Sequence, residues 1–408
     1  MRLKMSPALL SLPLLACGQR ELTHLSADEQ AVVFGHNELT LDLMAAAPAE
    51  ENLFIGSFSI SAALGMTYAG AAGQTAEEMA AVMHVNVDDA TFHTALGAVS
   101  RDLNGRHKGY DLLSGNRLWG QERLDFEQDF LDITKDDYGA ELKTLDFARD
   151  SEAARKDINR WVSRQTNGHI DEALQPEDVS RDTKLALTNV MYFHADWADA
   201  FEAESTSPQD FTLTNGDVVR APMMSGTKPA GLYVDETVSV LRLPYKGEEI
   251  SFVAILPAEA DGLAALEEGL SVSQLDVWLN QIGGGTADVD IQLPKFSMSD
   301  RLSLKPLLED LGMPLAFDPE LADFSGMTDD TKLAVKDVLH EARIDLDEEG
   351  TTAIAFTVVI MSDYTLSIRD QREFIADHPF LFFIRDDVTG AILFMGRMMD
   401  PTLAPPQG

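Results

Sequence analysis

Residues 52–79 read NLFIGSFSISAALGMTYAGAAGQTAEEM. Within this stretch 59–72 is rich in Ala and predicts a helix stopped at Gly73, and Thr75-Ala76-Glu77-Glu78 has the spacing that caps another. Upstream, Ser26-Ala27-Asp28-Glu29 also has capping-box spacing, and Ala31, Phe34, Leu41 and Met44 follow at helical intervals. Downstream, 151–165 predicts a helix with Ile158, Trp161 and Val162 on one face and Asn167-Gly168 as its stop. Strand-like segments then dominate, at 187–193, 240–243, 250–256, 289–293 and 391–395. The run 250–256 is almost unbroken apolar, as a strand buried on both faces would be. Helices lead and strands follow, which points to an α+β fold rather than a regular βαβ wind.

The 408 residues include 68 Asp and Glu against 31 Lys and Arg, a formal net charge of −37. So acidic a chain repels phosphate backbones and anionic lipid headgroups, and no nucleic acid is expected among its partners. The single cysteine, Cys17, excludes an internal disulfide framework and a cysteine-rich zinc site. No stretch reads as a domain linker and no repeat is visible, so 26–401 is expected to form one domain, with 402–408 as a tail.

Met1-Arg2-Leu3-Lys4 carries two positive charges, 5–15 is nearly all apolar, and Ala16 is the small residue before Cys17. These features predict a secretory signal, too short to stay in a bilayer as a spanning helix. Leu14-Leu15-Ala16-Cys17-Gly18 is also similar to a bacterial lipobox, which implies a diacylglycerol on the Cys17 sulfur and a mature chain beginning there. An ordinary cleaved signal with an incidental cysteine is the other reading. The expected organisation is a signal peptide of lipoprotein type over 1–16 and a tether over 17–25. The protein would then lie outside the cytoplasm, on a bacterial cell surface or outer membrane or secreted, touching membrane only through a lipid at Cys17.

Motifs of catalysis fail one after another. There is no G-x-S-x-G elbow, H-E-x-x-H pair, Walker loop or strand-following G-x-G-x-x-G. Gly283-Gly284-Gly285 is a bare turn, and His340-Glu341 opens like a zincin motif but is followed by Ile at 344. Asp345-Leu346-Asp347-Glu348-Glu349-Gly350 matches the first half of a calcium loop, yet the twelfth position, which must be a bidentate Glu, is Phe356. No metal, cofactor or enzymatic activity is expected.

Residues 345–360 read DLDEEGTTAIAFTVVI. Every second residue from Thr351 is small or medium (Thr351, Ala353, Ala355, Thr357, Val359), while Thr352, Ile354, Phe356, Val358 and Ile360 between them are larger. Side chains alternate faces along a strand, so this segment could slot into a crowded sheet with its small set inward. It is uncharged from Gly350 through Ser362, and no proline, which would remove a ladder donor, occurs from Gly350 to His378. A loop that reads as a buried strand is a conflict of levels that points to function; a plain hairpin strand is the bland reading of the same residues.

Residues 52–79 are followed in order by Ile158-Asn159-Arg160-Trp161-Val162 with Thr166-Asn167-Gly168-His169-Ile170, and by Asn189-Val190-Met191-Tyr192-Phe193 with Trp197, Phe201 and Thr206. Leu243-Pro244-Tyr245-Lys246-Gly247, Leu293-Pro294-Lys295-Phe296, Leu311-Gly312-Met313 and Ala322-Asp323-Phe324-Ser325-Gly326-Met327 come next. The chain closes on Asp377-His378-Pro379-Phe380-Leu381-Phe382-Phe383-Ile384-Arg385 and a last strand ending before Pro401. In type, spacing and order these blocks, spread over 28–401, resemble the serpins, the serine protease inhibitor family. The resemblance implies three β-sheets, eight or nine helices and an exposed reactive-centre loop before the C-terminal strands. It implies a monomeric inhibitor of extracellular serine proteases, a suicide substrate whose cleaved loop inserts into the central sheet. A non-inhibitory member, serving as a surface binding protein, is the alternative.

Carried over residue by residue, Glu348, Glu349, Gly350 and Thr351 match the family's proximal hinge, with Ala353 and Ala355 in the small run after it. Ile354 and Phe356 depart from the alanines common there. Thr351 is expected near solvent at the top of the sheet. Ser59, Asn189 and His340 match a polar gate beneath the strands that must part, and Gly56-Ser57, standing where the family usually has Ser-Pro, predicts a looser corner. Counting sixteen positions from Glu348 sets the reactive bond at Tyr364-Thr365, suiting chymotrypsin-like and some subtilisin-like proteases. Met361, Leu366, Ile368 and Arg369 compete, and Arg369 would recruit a trypsin-like protease.

Overall fold

The computed structural model describes residues 25–106, 109–166, 168, 170, 172–283, 286–351 and 372–403. Nine α-helices occur among them: α1 (Ala27–Ala46), α2 (Ser57–Tyr68), α3 (Gly73–Val82), α4 (Asp89–Gly105), α5 (Gln128–Asp136), α6 (Ser151–Gln165), α7 (Leu263–Gly269), α8 (Val272–Ile282) and α9 (Lys305–Asp310). The strands form two hydrogen-bonded arrays. One runs β1 (Leu53–Ile55), β15 (Ile392–Met398), β14 (Phe380–Asp386), β8 (Ile250–Pro257), β7 (Val238–Pro244), β6 (Val218–Val234), β9 (Ala287–Pro294), β13 (Glu373–Ile375), with β5 (Ser207–Thr212) also on β6. The other runs β10 (Phe296–Ser303), β11 (Leu339–Leu346), β12 (Gly350–Thr351), β4 (Leu185–Asp196), β2 (Tyr110–Gln121), β3 (Glu141–Leu145).

The three expected sheets are present as three pairing blocks, two of which share the 17-residue β6. Its first part pairs with β5 and β9 and its last four residues, Gly231 to Val234, pair with β7. β8 is buried along its whole length, as its apolar run predicts. Helix α6 holds Trp161, Ile158 and Val162 against Trp119 and Val190 of the six-stranded sheet. A larger core joins α1, α2 and α4 to the nine-stranded array. No helix among the described residues is long and apolar enough to cross a membrane.

The capping box of Ser26 and Glu29 forms as expected, but the next helices differ from the sequence reading. α2 ends at Tyr68, and Gly73 opens α3 instead of stopping α2, at φ +52°, where a side chain would be strained. Tertiary bonds have captured the local signals. Ala72 N–H donates to the Asp323 carbonyl (2.9 Å), Asp323 N–H to the Thr75 hydroxyl (3.0 Å), and Leu315 N–H to the Glu78 carboxylate (3.0 Å). The residues that look like a cap hold a loop from the far end of the chain.

Candidate functional site: a sheet left open at its centre

Among the described residues, the six-stranded sheet is bridged at its centre by a strand that reaches only its top. β12 has only two residues, with Thr351 opposite Ala195 of β4 on one side and Leu346 of β11 on the other. β4 is paired with β2 along its far edge and β11 with β10 along its own. Between them, below Thr351, no described strand satisfies the facing edges of 185–194 and 339–345. Beneath the gap lies a cavity of about 840 Å³, lined among others by Ser59, Thr67, Asn189, Met191, His340 and Phe394. Two facing strands at this spacing and in one register can accept a strand between them.

At the top, residues 347–350 form a tight turn between β11 and β12. Asp347 N–H donates to the Gly350 carbonyl (3.0 Å), and the Asp347 carboxylate accepts from the amides of Glu349 (3.0 Å) and Gly350 (3.3 Å). The would-be calcium loop therefore spends its second carboxylate on its own backbone, and no cluster of three metal-ligating side chains occurs among the described residues. Gly350 is required by close approach: a Cβ there would lie 2.1 Å from the Ala195 carbonyl oxygen. Trp197 Nε1–H donates to the Asp347 carbonyl (2.8 Å), and the amides of Trp197 and Phe201 donate to the carbonyls of Glu349 and Glu348 (both 2.8 Å). Glu348 also meets Lys295 Nζ (2.6 Å) and the Thr206 hydroxyl (2.7 Å). Part burial of the Glu348 carboxyl opposes ionisation, but these two donors hold its pKa below the usual carboxylate range.

Thr351 is not near solvent. It is 2% exposed, its hydroxyl lies 2.6 Å from that of Tyr245, and its carbonyl accepts from His194 Nδ1–H (2.9 Å). Pairing with β4 and β11 draws it into the sheet, where the expectation had left it outside.

The gate residues Ser59, Asn189 and His340 share the cavity wall rather than bonding to one another. His340 Nε2 accepts from the Gly56 amide (2.9 Å), which fixes its proton on Nδ1. Asn189 Nδ2 donates to Asn116 Oδ1 (2.5 Å), while Asn189 Oδ1 is buried without a partner. The Gly56-Ser57 corner is tied rather than loose, because Gly56 holds His340 and the Ser57 hydroxyl donates to the Ile392 carbonyl (2.8 Å). Trp197, Thr206, Tyr245 and Lys295 sit in the blocks picked out from sequence, but their shared contact with 347–351 is invisible there. Ala353, Ala355, the bond Tyr364-Thr365, its competitors Met361, Leu366, Ile368 and Arg369, and Cys17 lie outside the described residues.

Three buried histidines make this architecture acid-sensitive. Burial lowers the pKa of His340, and likewise of His36 and His93, from 6.5 to about 4. A depressed pKa means stability present in full above pH 6.5 and lost as the pH falls through about 4, worth about 3 kcal/mol per histidine at the bottom of that window. His378 works the other way: burial opposes its charge, but Asp377 and the Pro257 carbonyl raise its pKa. Urea midpoints should therefore fall between about pH 7 and pH 4.5, and His340→Gln should flatten part of the fall. Identical slopes for both proteins would show that His340 is not held neutral by the fold.

Comparison with known proteins gives a consistent result. A family model described as serpin (serine protease inhibitor) matches residues 35–401. The chain is 37% identical over 356 residues to the leukocyte elastase inhibitor of Homo sapiens, covering 86% of this chain and 93% of that protein. It is 37% identical over 376 residues to an uncharacterized serpin-like protein of Thermococcus kodakarensis, covering 91% and 86%. Among solved structures, the native state of the thermophilic serpin tengpin matches with a TM-score of 0.80 and 28% identity, over 90% of this chain and 94% of that one.

Proposed function

The chain belongs to the serpins, a family of serine protease inhibitors rather than enzymes, and we propose that it traps extracellular serine proteases as a suicide substrate. The observation that carries this reading is the pairing of a two-residue strand, already in register, between the tops of β4 and β11, below which no described strand lies between them. Thr351 opposes Ala195 and Leu346. Continuing those two antiparallel registers downward sets residue 353 between Phe193 and Ile344, 355 between Met191 and Ala342, and 357 between Asn189 and His340. Phe193, Ala342, Ile344 and His340 are buried, and so is Thr351. The inward positions are thus the small set Thr351, Ala353, Ala355, Thr357, and the larger Ile354 and Phe356 face the other side. Thr357 would bring a hydroxyl between the unpartnered Asn189 Oδ1 and the histidine.

The covalent step belongs to the protease. Its serine oxygen adds to the Tyr364 carbonyl, the Tyr364-Thr365 bond breaks, the Thr365 amine leaves with a proton, and residues up to 364 remain esterified to the enzyme. The freed segment then fills the gap, and ten residues at about 3.3 Å each carry the ester at least about 33 Å from the top of the sheet. Tyr364 favours chymotrypsin-like or subtilisin-like targets, with Met361, Leu366, Ile368 and Arg369 as competing anchors. The hinge is Glu348 to Thr351 with Ala353 and Ala355, and the gate is Ser59, Asn189 and His340. The protein acts outside the cytoplasm of a bacterium, signal over 1–16 and tether over 17–25, held by a diacylglycerol on Cys17. Cys17→Ser should release it from detergent into water; unchanged partitioning would remove the anchor.

Incubation with chymotrypsin, subtilisin, elastase and trypsin tests the reading. A complex that survives denaturing electrophoresis is expected with the first two, with the released peptide starting at Thr365. Clean cleavage without complex by all four would make the protein a substrate and the inhibitor reading wrong.

A further inference from the structure

In the uncleaved protein Thr351, at the head of the inserting segment, is already inside the sheet, and an aromatic pair holds both ends of its turn. Trp197 and Tyr245 stack, with ring centroids 4.6 Å apart and planes 6° from parallel. Trp197 reaches the Asp347 carbonyl, where the turn begins, and Tyr245 reaches the Thr351 hydroxyl, where it ends. Tyr245 is fully buried, edge-on to Phe193, and burial raises its phenol pKa, so it stays a neutral hydrogen-bonding group. Its ring is fixed by packing on Trp197 and Phe193, and Trp197 is held in turn by Phe252. A loop residue pinned by so rigid a partner has a fixed register.

We propose that Tyr245 is a positioning residue for loop insertion: its hydroxyl keeps Thr351 in the sheet before cleavage and fixes the register in which the following residues are added. This rests on the reading of the protein as a loop-inserting inhibitor. The register matters because side chains alternate with a period of two. A slip by one would turn Thr352, Ile354, Phe356 and Val358 inward, against Phe193, Met191 and Ile344, where the small set otherwise fits. Starting from a formed pair also spares insertion its first step, which would otherwise compete with hydrolysis of the acyl-enzyme.

Two substitutions remove one hydroxyl each: Tyr245→Phe keeps the stacked ring, and Thr351→Val keeps the β-branched shape. Each should raise the amount of cleaved inhibitor per trapped protease up to roughly fivefold, the factor by which losing one hydrogen bond of about 1 kcal/mol weakens the paired state from which insertion starts. Because both act on the same bond, the double variant should be no worse than either single one, and Thr351→Ser, which restores a hydroxyl, should behave as the parent. A merely structural tyrosine would lower stability and leave this partition unchanged. Multiplying effects in the double variant, or an unaltered partition in both singles, would overturn the proposal. Hydrogen exchange of the uncleaved protein supplies an arm independent of inhibition. Peptides spanning 347–351 should exchange at least about fivefold faster in Tyr245→Phe. Unchanged exchange there overturns the proposal even if proteases are trapped. Faster exchange without any trapping would uphold the latch and remove the inhibitor reading instead.

Discussion

Cleavage of the chain anywhere between 357 and 370 should raise its melting temperature on the order of 20 °C or more. Among the described residues of the uncleaved protein, β4 and β11 are joined through the two residues of β12, and a cavity of about 840 Å³ lies below. A cut frees the residues from 352 up to the cut, as far as 361, to pair with 185–194 on one side and with β11 on the other. Each added residue lends its amide and carbonyl to a ladder with the strands on either side, and the small set packs beside Met191, Ala342 and Phe193. The open sheet is therefore a state the fold leaves once the loop is cut. Calorimetry of intact and nicked protein decides the matter, and equal melting of the two would mean that the gap stays empty after cleavage.

Thr357→Arg should turn the protein from inhibitor into substrate while leaving its folding unchanged. By register, position 357 meets Asn189 and His340, where the nearest ring is a neutral imidazole. No carboxylate of either flanking strand is opposite it in register, so the guanidinium would be buried unpaired at a cost of several kcal/mol. If only ~3 kcal/mol of that reaches the insertion barrier, insertion slows about 150-fold and most acyl-enzyme hydrolyses first. Phe356→Arg is the control, because its side chain belongs to the opposite face and should be tolerated. The ratio of covalent complex to cleaved inhibitor reports both. Trapping by Thr357→Arg as efficient as by the parent would contradict the register. Thr351→Arg, the more obvious choice from sequence, is a poor test, because Thr351 is already buried and the charge would strike the uncleaved fold.

Elements with one strong local period are legible in the sequence. Helix α6 shows at both ends, and β8 in its apolar run, because burial on one face or on both writes directly into the residue order. β2 is hidden: Ser114-Gly115-Asn116 breaks its pattern, and only pairing with Asn189, Val190 and Met191 of β4 makes it a strand. β6 hides likewise, with Pro222 and Pro229 inside a 17-residue strand, the first paired with β5 and the second with β9. At the site, the alternation of small and large residues after Gly350 is readable because it is local. That Thr351 is already paired, that His340 turns to the Gly56 amide, and that Trp197 and Tyr245 clasp the hinge turn depend on contacts between segments over a hundred residues apart.

Amide hydrogen exchange on the protein before and after a single cut at the reactive bond measures insertion most directly. Residues 352–361 and the facing edge of 185–194 should gain protection together on cleavage, with 357 among the slowest to exchange. If 352–361 gain none, the loop does not become the missing strand, and the open sheet has another purpose.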